Sequence, residues 1–188
     1  MSFNPNIHHR RSIRLKGYDY AQTGAYFITL CCQKRAHLFG EIVNGKMILN
    51  EYGLIAHDEW ENTLEIRPNI SLGAFVIMPN HVHGILIIND SGEPPSTTPK
   101  EENKFKSPSK TIGAIIRGYK GATTKRIKRL ISTGESPISS GAPKIDLSTP
   151  IWQRNYYEHI IRNEKAFYNI SNYIINNPAK WAEDKFYK

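Results

Sequence analysis

The sequence predicts an α+β fold: a split βαβ antiparallel sheet with helices on one face and one further helix at the C-terminal end. Three observations predict it. Runs of strand-like and helix-like periodicity follow one another in the order strand, helix, strand, strand, helix, strand, helix. Two apolar runs, residues 74–78 and 85–88, are separated only by the Pro79-Asn80 turn signal and a short step containing two histidines, so they are antiparallel neighbours. The last apolar stripe, Phe167, Ile170 and Ile174, follows Asn163, a good helix N-cap, and ends at Pro178. Together these features specify a ferredoxin-like arrangement.

Taken in order, residues 1–23 form a basic arm holding His8, His9, Arg10, Arg11, Arg14 and Lys16 with little apolar periodicity. It reads as a flexible or surface-laid segment, with contact to a phosphate backbone as the second reading. Residues 24–188 form one domain. After the Thr23-Gly24 turn, residues 25–32 are aromatic and β-branched enough to make the first core strand. Asn44-Gly45 tolerates positive φ at both turn positions and predicts a small hairpin from residues 41–43 and 46–49. A helix starts at Asn50 or Glu51 and runs to about Glu65, because Leu54, Ile55, Asp58, Trp60 and Leu64 recur near the helical period and Arg67-Pro68 closes it. Residues 70–78 and 81–88 give two more strands.

Residues 89–110 and 132–150 are rich in Ser, Pro, Thr and Lys and are expected to be mobile loops. Between them lies a helical pattern through Ile112, Ile115, Ile116, Tyr119 and Ile127, weakened by three glycines. From Lys104 to Arg129 every charged side chain is basic. That is either a solvated helix face or a phosphate-tracking surface, with Lys110, Arg117, Lys120, Lys125 and Arg126 as its members. Residues 151–161 read as the final strand and carry Arg154.

The chain of 188 residues has 25 Lys+Arg against 17 Asp+Glu, a net charge of +8, which favours an anionic polymer, nucleic acid first, as partner. No apolar run approaches the ~20 residues of a membrane span, and no signal-peptide stretch opens the chain, so a cytoplasmic location without a membrane is expected. The only cysteines, Cys31 and Cys32, are strand neighbours facing opposite ways, which excludes a disulfide framework and a Cys-based zinc site.

The candidate chemistry starts at Met78-Pro79-Asn80-His81-Val82-His83-Gly84. Alternation along a strand puts His81 and His83 on one side and Val82 on the other. The two imidazoles can share a divalent ion, or they only cap the strand. Tyr173 and Asn177 stand four residues apart on one side of the last helix. If that helix crosses the sheet near the histidines, it brings them a phenol and a carboxamide; otherwise Tyr173 caps the core rim. A phenol whose pKa is near 10 needs a metal-activated electrophile or a base to act as nucleophile.

Gly24-Ala25-Tyr26-Phe27-Ile28-Thr29, the His81-His83 stretch, the run from Trp152 to Arg162 and Asn172-Tyr173-Ile174-Ile175-Asn176-Asn177-Pro178 follow each other in an order that resembles the REP-associated tyrosine transposases. These belong with the insertion-sequence transposases among the HUH single-strand endonucleases. The resemblance spans most of the chain apart from the arm and the two loops. It implies that His81, His83 and Asn177 bind Mg²⁺ or Mn²⁺ and that Tyr173 is the nucleophile. The reaction it implies cleaves and rejoins single-stranded DNA, near hairpin-forming repeats, through a 5′-phosphotyrosine. It also allows a homodimer with exchanged tyrosine helices. Glu158 and His159 are runners-up for the third ligand, Tyr156 and Tyr157 are sheet residues able to stack on a base, and His37 and His57 are surface residues. The competing readings are a non-catalytic single-stranded DNA- or RNA-binding module on the same sheet, and a metal hydrolase using water.

Overall fold

A computed structural model describes residues 18–90, 111–134 and 143–187. Arg10, Arg11, Arg14, Lys16 and Lys110, with nearly all of the basic arm and most of the two loops, lie outside the described residues. Along the chain come β1 (Gly24–Cys31), β2 (Gly40–Val43), β3 (Lys46–Leu49), α1 (Glu51–Glu61), α2 (Thr63–Ile66), β4 (Ile70–Met78), β5 (His81–Ile88), α3 (Ile112–Thr133), β6 (Tyr157–Ile161) and α4 (Glu164–Asn176). The main sheet has the order β4-β5-β1-β6 with every pairing antiparallel, which is the split βαβ topology. β2 and β3 pair separately across Asn44 (φ 50) and Gly45 (φ 73), the two positive-φ positions that the dipeptide supplies.

Alternation along β1 and β5 sorts their side chains to two sides. Tyr26, Ile28, Leu30, Val82, Leu86 and Ile88 join Trp60 of α1 and Ile112, Ile116 and Tyr119 of α3 in the larger core. On the opposite face Ile85 and Ile161 meet Ile174 of α4, with Phe167 and Ile170 packed beside them. α1 and α3 thus share one face, and the C-terminal helix lies across the other. Gly84 permits the first packing, since a Cβ there would sit 2.3 Å from Cζ2 of Trp60.

Two element lengths differ from expectation. The helix expected to reach Glu65 is interrupted at Asn62, whose ψ of −15° flattens the turn, and α2 carries it on for one turn. The strand expected over residues 151–161 pairs with β1 only from Tyr157. Upstream, Trp152 makes an isolated bridge to Cys32, and Lys120 Nζ donates to the carbonyls of Gln153 (2.9 Å) and Asn155 (3.1 Å), turning that backbone towards α3 instead of the sheet.

Candidate active site

His81 and His83 occupy the start of β5, a strand paired on both edges, opposite Cys31 and Thr29 of β1 and Met78 and Val76 of β4. Both are buried, and their ring centroids are 4.4 Å apart. The proton on the His81 ring follows from its neighbours. Asn80 Nδ2 donates to the Phe186 carbonyl at 2.7 Å, which fixes the amide so that Oδ1 faces His81 Nδ1 at 2.8 Å. An amide oxygen can only accept, so Nδ1 carries the hydrogen and Nε2 keeps a bare lone pair. That Nε2 is buried without a hydrogen-bond partner. His83 Nδ1 is hydrogen-bonded to Thr29 Oγ1 at 2.9 Å, which anchors the ring from the β1 side.

α4 reaches the pair from the same side of the sheet. Asn163 caps it by accepting from the Ala166 backbone N–H at 2.8 Å, and the helix ends where Pro178 opens a 3₁₀ stretch, Pro178–Glu183. Tyr173 Oη lies 3.1 Å from His83 Nε2 of its own chain. Phe27 braces both rings, with centroids 5.2 Å from His83 and 6.2 Å from Tyr173. Tyr173 is nevertheless 43% exposed, so its outer side is open to a large ligand. A groove of ≈ 350 Å³ adjoins it, lined by residues that include Asn169, Asn172, Asn176 and Lys180.

Asn177, one turn on, is buried. Its Nδ2 donates to Asp184 Oδ2 at 2.7 Å, and Asp184 Oδ2 also accepts from Tyr173 Oη at 3.3 Å. The carboxylate fixes the orientation of this amide, leaving Oδ1 buried with no donor. His81, His83 and Asp184 each offer a ligand atom, all within 4.8 Å of one another; it is the one such His/Cys/Asp/Glu group among the described residues. Asp184 was missed in the sequence because it follows the last helix in a stretch with no periodicity.

The electrostatics match an ion site. Burial pulls His81 down to about 4 and His83 well below the ordinary imidazole value, so both rings are neutral at pH 7 and free to act as ligands. Burial, then the Asp184 carboxylate, pushes Tyr173 up to about 12, so the group is a phenol and not a phenolate. Two imidazoles and a carboxylate are donors that suit a hard or borderline divalent cation, and His81 Nε2 and Asn177 Oδ1 are buried atoms without a hydrogen-bond donor.

No family model matches the chain. An uncharacterised protein of Haemophilus influenzae is 42% identical over 189 residues, covering 98% of this chain and 97% of its own length, and the chain belongs to one family with it. Another protein of that organism, described as a "Putative REP-associated tyrosine transposase", is 24% identical over 162 residues, which span 86% of this chain and 74% of that protein. Among solved structures, a REP-associated tyrosine transposase bound to a REP hairpin superposes with a TM-score of 0.52 at 20% identity, over 92% of this chain and 77% of that one. The chain has the fold of the REP-associated tyrosine transposases.

Within this transposase fold the remaining candidates are dispersed. Arg117, Lys120, Lys125 and Arg126 sit on α3, across the sheet from the histidines. Arg117 and Lys125 are exposed. Arg126 is engaged by Glu59 (2.9 Å) and Asp58 (3.2 Å) of α1. Lys120, pulled down to about 8 by burial, holds the backbone before β6, and Arg154 is exposed in that same segment. Glu158 is paired with Ile28, whose side faces the larger core, and His159 with Phe27 on β1; neither joins the histidine group. Tyr157 touches Phe27 edge-on and lies under Lys185, and Tyr156 lies under Lys120. The His57 ring lies tilted against Phe75, and His37 against Trp181. Among the described residues no helix is long and apolar enough to cross a membrane.

Proposed function

We propose that this protein is a divalent-metal-dependent, single-strand DNA transposase that cleaves and rejoins DNA through Tyr173. The observation that carries the proposal is the 3.1 Å approach of Tyr173 Oη to His83 Nε2, beside a buried group of unpaired acceptors. His81, His83 and the Asn177 carboxamide would hold Mg²⁺ or Mn²⁺, which when bound supplies a Lewis acid for a phosphate oxygen. Tyr173 attacks phosphorus, a P–O bond forms to the 5′ phosphate, and the 3′ oxygen leaves. The phenol loses one proton and the leaving oxygen gains one. Reversal of the step rejoins a strand, and the retained bond energy makes a nucleotide cofactor unnecessary. Phe27 and His83 would position the phenol, and the exposed side of Tyr173 would admit the DNA.

The substrate we assign is single-stranded DNA next to a hairpin-forming repeat, encountered in the cytoplasm. Arg10, Arg11, Arg14, Lys16, Lys110, Arg117, Lys125 and Arg154 are the candidates for phosphate contact, with Lys120 and Arg126 supporting α3 and its neighbours. Tyr173 meets His83 of its own chain, so delivery in cis needs no second copy.

The test is to incubate labelled hairpin DNAs with the protein and Mn²⁺ and to look for a denaturation-resistant adduct. Wild type is expected to form one and Tyr173→Phe none. Cleavage without an adduct in both proteins would make it a hydrolase, and binding alone across a panel of hairpins would make it a recognition module.

A further inference from the structure

Asp184 lies beyond the 3₁₀ stretch, yet its carboxylate comes within 4.8 Å of ligand atoms of His81 and His83. Oδ2 accepts from Asn177 Nδ2 and Tyr173 Oη, and Oδ1 accepts from the Phe186 backbone N–H at 2.7 Å. Its segment is fastened to the turns beside the strands at two points. Asn80 donates to the Phe186 carbonyl, and Arg35 Nη1 to the Lys185 carbonyl at 3.1 Å. The Phe186 ring, itself buried, lies with its centroid 4.6 Å from that of His81 and 5.7 Å from that of His83.

Asp184 could act as a clasp alone, tying the last residues to α4. A clasp accounts for the bonds to Asn177 and Phe186. It leaves unexplained why the carboxylate stands within 4.8 Å of a ligand nitrogen on each of two buried imidazoles. It also leaves two buried acceptors, His81 Nε2 and Asn177 Oδ1, with no donor. A carboxylate beside two imidazoles, with a buried imidazole nitrogen and a buried amide oxygen lacking donors, is a set of groups that a small cation can satisfy.

We infer that Asp184 is a further, anionic ligand of the cation held by His81 and His83, with Asn177 Nδ2 holding the carboxylate in line. This rests on the reading above that the histidine pair binds a divalent cation. It adds a negative charge to a site that otherwise offers only neutral donors, and it ties cation uptake to the seating of residues 184–187.

The test reads binding, not turnover. Mn²⁺ is titrated into the DNA-free protein and the free ion is followed by electron paramagnetic resonance, for wild type and Asp184→Asn, whose side chain has nearly the same shape. The variant is expected to bind about 10- to 100-fold more weakly. In parallel, the ¹³C resonance of the Asp184 side-chain carboxyl is followed in labelled wild type during a Mg²⁺ titration; it is expected to shift at saturation, a result that does not depend on how the variant folds. Equal Mn²⁺ affinity in the two proteins, or an unmoved carboxyl resonance while the metal binds, overturns the assignment of Asp184 and leaves the histidine site standing. Wild type that takes up no Mn²⁺ overturns both.

Discussion

Asn80 shows how a single amide can set the chemistry of a ring two bonds away. Its nitrogen is committed to the Phe186 carbonyl and its oxygen to His81 Nδ1, so the tautomer with a free Nε2 lone pair is the one stabilised. Asn80→Ala should leave β5 in place but weaken Mn²⁺ binding by about 10- to 100-fold, measurable by calorimetric titration. Burial of the histidines also has a thermodynamic signature. His81 titrates near 6.5 in an unfolded chain and near 4 in the fold, and His83 is lowered in the same direction. Between those values the unfolded chain binds more protons, so the stability tied to a neutral His81 is complete above pH 6.5 and is lost as pH falls through the window towards 4. For the metal-free protein the loss from His81 is on the order of 3 kcal/mol, read from denaturant midpoints at stepped pH. A flat profile across that window would contradict the neutral, buried assignment.

At the scale of the element, β5 is buried on both faces and its two sets of side chains answer to different layers. Val82 and Leu86 belong to the α1/α3 core, while His81, His83 and Ile85 face α4 and the last residues. Gly84 is the contact point, because any side chain there meets the Trp60 indole. Gly84→Ala should cost about 1–3 kcal/mol by overpacking, and because the strand must tilt to relieve it, Mn²⁺ affinity should fall with the thermal midpoint. Unchanged midpoint and affinity would show that α1 yields freely. In α4 the Asn163 cap is a separate determinant: Asn163→Ala should lower stability by about 1 kcal/mol in denaturant unfolding. The sequence announces most of these elements. The apolar runs of β1, β4 and β5, the Asn-Gly hairpin and the Phe167-Ile170-Ile174 stripe are local signals, and each element forms where its signal lies. The side of the sheet taken by α4 is not local. A strand apolar on both faces has no alternation to say which helix covers which side, and only the register of β5 against β1 decides it.

For the molecule as a whole, the sheet divides two sets of residues that look alike in a list of candidates. The histidines, Tyr173 and Asn177 gather on one face, as the motif spacing and the four-residue interval on α4 suggest, whereas the basic side chains of α3 occupy the other. Charge runs in a sequence carry no direction, so this separation could not be read from them, and neither could the engagement of Arg126 by Glu59 and Asp58. Asp184 was equally hidden, since its place depends on how the chain folds back after Pro178. If α3 meets DNA backbone, Lys125→Ala should reduce the slope of log affinity against log salt by about 1 for a hairpin substrate, in a fluorescence titration over a salt series. A slope equal to wild type would remove Lys125 from the footprint.

The imidazoles ride on a central strand, whereas the phenol and the carboxylate arrive on the last helix and the residues after it. One half of the site is therefore set by strand pairing on both edges, and the other by the packing of one helix and the seating of the residues after it. Warming should loosen the terminal half first, so the adduct proposed for Tyr173 ought to fade at a temperature where circular dichroism still reports an intact sheet.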